Sequence, residues 1–552
     1  MGPYLKSFAP EDFRRELARL EEQADRCYGC LDLLREPQNL ASWAALTTFV
    51  EAMERTHEVP NSFPLFRAAM MNLGRTGALL IHWIGKHGSQ RFAPRSKFRW
   101  NPRLGRAAGA ALDIAHAYET FLSLFPSWHK NRALGEIVGP NRIRFTASRG
   151  PNDRRVSAFH KGMYPASGPY NPPPFTSPIT LTPELEAAFT AVIEGAKRDG
   201  PFGFTYVHPT HLYEALAPPL AESLASLFRR DVSCDLGGYS LQDFKSFYAV
   251  LLAISMVHLH LCRLWSEGNR FPLSAAVLVK ERRSWIKEIA TLSGLSLEMT
   301  EAILKNLTFP IHKPYDLHVH PFVPLDCGDR LLSLIPHFPL HSRPDENVIR
   351  VCSYNNRRAF DVISLSKEQE MREDLSAALP PRFKSAGPVP LPSPNPDVDF
   401  IVEDQEASVV LIAELKWIRK PISAWERVDR DDDFLKGIRQ LRDVQRFLKS
   451  QPRFLVDLGS LSAALDTYSE VHYVLIARDH FAWVDPDADF PVFEHEVFKT
   501  LVRKHSDLRA VVREILSFSW LPVEGIDFTV KFESAEANGV VVEAEIFYAP
   551  RA

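Results

Sequence analysis

A chain of 552 residues is too long to fold round a single hydrophobic core, and its length predicts several domains. With 45% hydrophobic and 24% charged residues it has a globular composition, which excludes the disordered and fibrous classes. A formal net charge of -3 excludes a global basic field, so any contact with nucleic acid would need a local basic face.

Cys27, Cys30, Cys234, Cys262, Cys327 and Cys352 show no dense regular spacing, which argues against a disulfide scaffold and makes a reducing cytoplasm the expected home. The N-terminus, MGPYLKSFAPEDFRRELARL, lacks the apolar core and cleavage site of a signal peptide and begins an amphipathic helix instead. Helical spacing of apolar residues, such as Phe13, Leu17 and Leu20 and later Leu65, Met70, Leu73, Leu79 and Ile81, runs to about His87. Residues 1–165 are therefore expected to form a helical domain. From Asn141 the periodicity dissolves, and closely spaced prolines predict a linker or loop over 166–182. Thr182 as N-cap and Pro183 at the first helical position open a second helical region, 183–283. Its most apolar run, Ala249 to Trp265, is broken by His258, His260 and Arg263 and falls short of the roughly 20 residues of a membrane span. It reads as a buried helix, and no membrane association is expected.

The next region, 284–345, begins with two short amphipathic helices over Ser284 to Thr308, turned by Gly294 and capped by Ser296. This is a helix-turn-helix outline, but the second helix carries Glu298 and Glu301 with only Lys305, a poor match to phosphate, so a packing unit is the expectation. After Pro310 the pattern turns strand-like, through HPFVPL and RLLSLIPHFPL to NVIRVCSYNNRRAF. Helical spacing returns at Leu365, Met371, Leu375 and Leu379, and a proline-rich loop from Pro380 to Pro396 leads into the most informative segment.

That segment, Asp397 to Trp417, reads DVDFIVEDQEASVVLIAELKW. A short apolar run, a polar turn and a β-branched run predict a hairpin-like strand pair, with Asp399 at the start of one strand and Glu414 and Lys416 at the end of the next. Alternation along a strand turns Glu414 and Lys416 to one side and Leu415 to the other. Two carboxylates and an amine so gathered suit phosphodiester hydrolysis, because a divalent cation held by hard oxygens lowers the pKa of water and clamps the phosphate while an ammonium offsets developing charge.

PDVDFIVED followed by VVLIAELKW resembles the active-site hairpin of the PD-(D/E)xK nuclease superfamily, the restriction-endonuclease-like proteins. The resemblance covers about 21 residues directly, Asp397 to Trp417; it implies a domain over 346–552 with an α/β fold and a mixed central sheet, so the whole chain, helical before that domain, is expected to be a multidomain α plus α/β protein. It implies that Asp399 and Glu414 hold Mg²⁺ (with Mn²⁺ able to substitute), that the carbonyl of Leu415 is a further ligand, and that Lys416 positions the nucleophile. Asp397 competes with Asp399 for the first role. A preceding helix is expected to add Glu368, with Glu370 competing, and a following one, FLKGIRQLRDVQRFLKS, to add Gln440. On that helix Arg439, Arg442, Arg446 and Lys449 form a stripe that could hold a nucleic-acid backbone or simply be a solvated face. The resemblance implies an endonuclease acting on nucleic acid, double-stranded DNA foremost, with a place in bacterial defence against phage, and with a homodimer or a regulatory protein bound through the helical region as further partners. The alternative is an inert nuclease fold that only binds nucleic acid or a protein.

Other motifs carry less. Asp316, His318 and His320 imitate a metal-binding DxHxH, but prolines follow at once and no barrel of strands precedes them. His258 and His260, two apart on a helix, face different sides, and Cys27 with Cys30 is a lone CxxC without a second pair. No phosphate-binding GxxxxGK[ST] loop, G-x-S-x-G elbow or strand-borne GxGxxG occurs, so ATP hydrolysis is not expected.

Overall fold

Apolar residues three and four apart favour the helices that predominate toward the N-terminus, and β-branched runs favour the strands gathered toward the C-terminus. A computed structural model describes residues 11–57, 63–94, 97–122, 124–129, 133–147, 151–160, 210–225, 234–266, 273–311, 316–326, 328–419, 429–478 and 490–548, with isolated positions between. The expected proline-rich linker at 166–182 and its cap at Thr182 lie outside these. The protein is mixed α/β, with helices toward the N-terminus and mixed sheets toward the C-terminus. It divides into two units, one of Glu22–Thr120 and Pro174–Ile363 and one of Met1–Glu21, Phe121–Pro173 and Ser364–Ala552.

The first unit is built on helices that include Gln38–His57, Phe63–His87, Thr210–Ala225 and Leu241–Ser266. Leu241–Arg263 is long and apolar enough to cross a membrane, yet 83% of its apolar window is buried inside the protein, as in a core helix. His258 is buried within it and its Nε2 lies 2.7 Å from the carbonyl of Ala275, so it is a satisfied core histidine. The predicted helix pair appears as Arg282–Ser293 and Leu297–Asn306: Gly294 takes φ 72° at the turn and Ser296 accepts from the Met299 N–H. Its apolar faces, Trp285, Ile286, Ile289, Ile303 and Leu304, are buried. The strand-like reading of NVIRVCSYNNRRAF is overturned, since Pro344–Asn355 is a helix. Proline at its start and Asp345 and Glu346 in its first turn favour that state over the β propensity of the valines.

The second unit contains two sheets. The strands β1 (Ala133–Gly139) and β2 (Arg142–Ala147) were not foreseen in the sequence. They are followed, after the long helix α1 (Arg357–Ala378), by β3 (Lys384–Ala386), β4 (Phe400–Asp404), β5 (Val409–Trp417), helix α2 (Asp431–Ser450), β6 (Glu470–Arg478), β7 (Val492–Glu494), helices α3 (His495–Lys504) and α4 (Leu508–Leu516), and the hairpin β8 (Thr529–Ala537) and β9 (Val540–Tyr548). One sheet has the order β7-β6-β5-β4-β3, antiparallel from β3 to β5 and parallel from β5 to β7. The other is β1-β2-β9-β8, with β2 parallel to β9. Asn538 and Gly539 turn β8 into β9 with φ 50° and 75°, the left-handed pair a tight hairpin requires. In the five-stranded sheet β5 is the buried centre: Val409 to Ala413 are at most 1% exposed, which is why the run reads as continuous hydrophobic. Met371, Leu375, Phe434, Leu441, Val444 and Leu448 from α1 and α2 join the same core.

Candidate active site

The register of β4 on β5 brings Asp399 to the end of Glu414. Phe400 pairs with Ala413, so Asp399, one residue before, falls opposite the Glu414 end of β5. There its Oδ2 accepts a hydrogen bond of 2.9 Å from the Leu415 N–H. Asp397, its competitor, is exposed. Glu414 is 3% exposed, and its Oε1 accepts from Lys416 Nζ at 2.5 Å. The same Nζ donates to Gln440 Oε1 at 3.0 Å, so the helix after the hairpin reaches back to the lysine. Gly437, one turn from Gln440 on α2, permits this: an added Cβ there would come within 2.6 Å of Leu475 Cδ1 and 3.1 Å of Lys416 Cε.

Of the two acids on α1, Glu370 is buried and ion-paired with Lys367 at 3.0 Å. Glu368 faces the hairpin: burial raises its pKa, and the nearby Asp399 raises it further. Desolvation likewise pushes Asp399 up, and pushes Glu414 up to about 7, with Asp399 and then Glu368 adding repulsion and Lys416 opposing them. Three carboxyl groups that repel one another in a half-dry site, with Lys416 as the cation nearest Glu414, are hard oxygens of the kind a divalent cation takes. Their free oxygens do not close into a tight triad, however. Among the described residues the only three His, Cys, Asp or Glu ligand atoms within 4.8 Å of one another belong to Asp374, His495 and Glu496. In that second cluster Lys499 Nζ already lies 3.1 Å from Asp374 and 2.7 Å from Glu496, so a side-chain cation holds the carboxylates.

No family model, no curated protein and no solved structure matches this chain.

The basic stripe of α2, Arg439, Arg442, Arg446 and Lys449, lies on the exposed surface. Arg446 is ion-paired with Asp443 at 3.1 Å, and Lys449 is nine residues beyond Gln440, which at about 3.6 residues per turn sets it half a turn round the helix. The residue that sequence reasoning missed at this end of the sheet is Gly387. With φ 130°, it lies against the backbone of Asp399, where an added Cβ would sit 2.5 Å from the carbonyl oxygen. A glycine beside a proline in a loop gives no sequence signal of that approach.

The other motifs are accounted for by packing. Asp316 accepts from the His318 N–H, His318 Nδ1 lies 3.3 Å from Ser342 Oγ, and His320 Nδ1 lies 2.9 Å from the carbonyl of Asn306, all buried. Cys27 is buried and Cys30 exposed in one short helical turn, and both are free thiols.

Proposed function

We propose that the unit containing Ser364–Ala552 is a restriction-endonuclease-like, Mg²⁺-dependent nuclease that hydrolyses phosphodiester bonds, in DNA foremost. The observation that carries the reading is the convergence of Asp399, Glu414, Lys416 and Gln440 at one end of the central strand β5, tied together by the bonds Asp399 to Leu415 N–H and Lys416 to both Glu414 and Gln440. A mixed sheet with a buried central strand carrying the acid and the amine fits the same reading.

Asp399 and Glu414 would hold the metal, with Glu368 available to a bound water. In extended backbone a residue's N–H and C=O leave the strand on the same edge, so the Leu415 carbonyl looks to the side where its N–H meets Asp399 and can serve as a further oxygen ligand. Oxygen donors of this kind suit Mg²⁺, which keeps waters and takes only a few protein carboxylates. When bound, the cation would supply an acidified water and charge neutralisation at the phosphate. Gln440 fixes the Lys416 ammonium, and Lys416 in turn shares its charge between Glu414 and the space where a phosphate oxygen or an attacking water would lie. Incubation of the full chain with supercoiled plasmid and Mg²⁺, beside Lys416→Ala, tests the assignment. Cleavage that depends on the metal and falls at least a hundredfold in the variant is expected; equal cleavage by both proteins removes it.

A further inference from the structure

We propose that Arg372 and Lys436 grip backbone phosphates on either side of the reacting one, so that the site takes an internal bond of a polynucleotide chain and not a terminal phosphomonoester. The proposal rests on the nuclease reading above and deepens it.

Glu368, Asp399 and Glu414 bring three negative charges to one end of the sheet, and Lys416, bonded to Glu414 and Gln440, offsets one of them at the reacting centre. A divalent ion would offset the remainder but leave nothing to attract the flanking phosphates of a chain, each of which carries its own charge. Two further cations stand at this end, from different helices. Arg372 lies one turn after Glu368 on α1, half-buried, and its Nε donates to the Asp399 carbonyl at 3.1 Å. That bond pins the guanidinium plane, and its two Nη groups make no hydrogen bond or ion pair among the described residues. An arginine held through Nε by a neutral acceptor keeps its Nη fork for a bidentate anion. Lys436 is exposed, lies one turn before Gln440 on α2 and adjoins Gly437, the residue packed on Lys416. It too has no ion-pair partner among the described residues. Both charges act on Glu368, as Lys416 does, which places the three cations about the same carboxylates. Arg446, by contrast, is neutralised by Asp443.

The test is binding of a fluorescent duplex of about 20 base pairs in Ca²⁺, with salt titrated, for the full chain and for Arg372→Gln, Arg372→Lys, Lys436→Ala and the surface control Lys449→Ala. Each phosphate contact removed lowers the slope of log affinity against log salt by about 1. Arg372→Gln and Lys436→Ala should each lose about that much, Arg372→Lys should recover it, and Lys449→Ala should keep the full slope. In Mg²⁺ the same two variants should raise KM for the duplex by a larger factor than KM for bis(p-nitrophenyl) phosphate, which has no flanking phosphates. Unaltered slopes and KM in a protein that cuts the duplex overturn the phosphate grip alone. A protein that neither binds nor cuts any duplex overturns the nuclease reading with it.

Discussion

Glu414 carries a carboxyl held almost out of water beside two others, and its pKa is pushed up to about 7 by desolvation first and by Asp399 second. Because the folded-state value exceeds the unfolded one, near 4.5, the fold has its full share of stability below pH 4.5 and loses it as pH rises through 7. Above that, the ionised side chain costs the metal-free protein on the order of 3 kcal/mol. Glu414→Gln should therefore raise the melting temperature in EDTA at pH 8, leave it unchanged near pH 4, and abolish plasmid cleavage; a variant no more stable than the parent at pH 8 would show that the carboxylates are not in conflict. Gly387 presents the opposite case. Alanine there meets the Asp399 carbonyl at 2.5 Å and must adopt φ 130°, so both strain and displacement fall on the acid. Gly387→Ala should cut cleavage about 100-fold, the scale expected for an ångström of misplacement, with far-UV circular dichroism unchanged. Retained activity in a folded variant would place Asp399 outside the chemistry.

At the scale of elements, α1 and α3 are joined by a charge cluster that the sequence did not disclose. His495, 4% exposed, has Nδ1 2.9 Å from Glu494 and Nε2 3.0 Å from Glu496 and 3.6 Å from Asp374, the last two ion pairs lacking hydrogen-bond alignment. Burial alone would lower its pKa, but the three carboxylates outweigh burial and raise it to about 10. Glu496 moves the other way, to about 2, since His495 and Lys499 overcome its desolvation. The imidazolium contribution is complete below the unfolded value of about 6.5 and disappears as pH rises through 10, while the Glu496 contribution is complete above 4.5 and disappears toward 2. The melting-temperature difference between the parent and His495→Gln should thus be largest from about pH 4.5 to 6.5 and shrink toward pH 10; a difference that stays constant over that range would contradict the cluster. What the sequence disclosed and what it hid divide along the same line. The hairpin of Asp399 and Glu414 and the apolar face of α2 were legible because alternation and helical period are local. Arg372, Lys436 and Gly387 carry no local mark, since each matters through a neighbour brought by another element. Residues 344–355 misled because valine and isoleucine speak for a strand while the proline and acids at the start speak for a helix, and the helix won.

At the scale of the molecule, the proposed nuclease unit is not a contiguous stretch. Its second sheet pairs β2 with β9, and Arg142 and Arg144 bracket Glu543 at 2.7 Å across 401 and 399 residues of chain. On the helix Pro151–His160, Arg155 donates to the carbonyls of Phe518, Leu521 and Pro522 at 2.7 to 2.9 Å. Phe159 packs edge-on against Trp520, which is fully buried, with ring centroids 5.4 Å apart. Such distant pairings leave no pattern in any window of sequence, which is why strands at 133–147 went unforeseen. They also have a consequence for the activity. A fragment of residues 364–552 keeps Asp399, Glu414, Lys416 and Gln440 but bares one edge of β9, uncovers Trp520 and leaves three carbonyls without Arg155. Losing an aromatic contact of this kind costs about 3–5 kcal/mol, a large part of the 5–15 kcal/mol that holds a typical domain together. That fragment should therefore melt well below the full chain or aggregate, and co-expression of residues 121–173 should restore both its melting transition and its plasmid cleavage. Phe159→Ala in the full chain should lower the same transition without touching the catalytic residues. A fragment as stable and active as the intact protein would mean that the early strands contribute nothing to this unit.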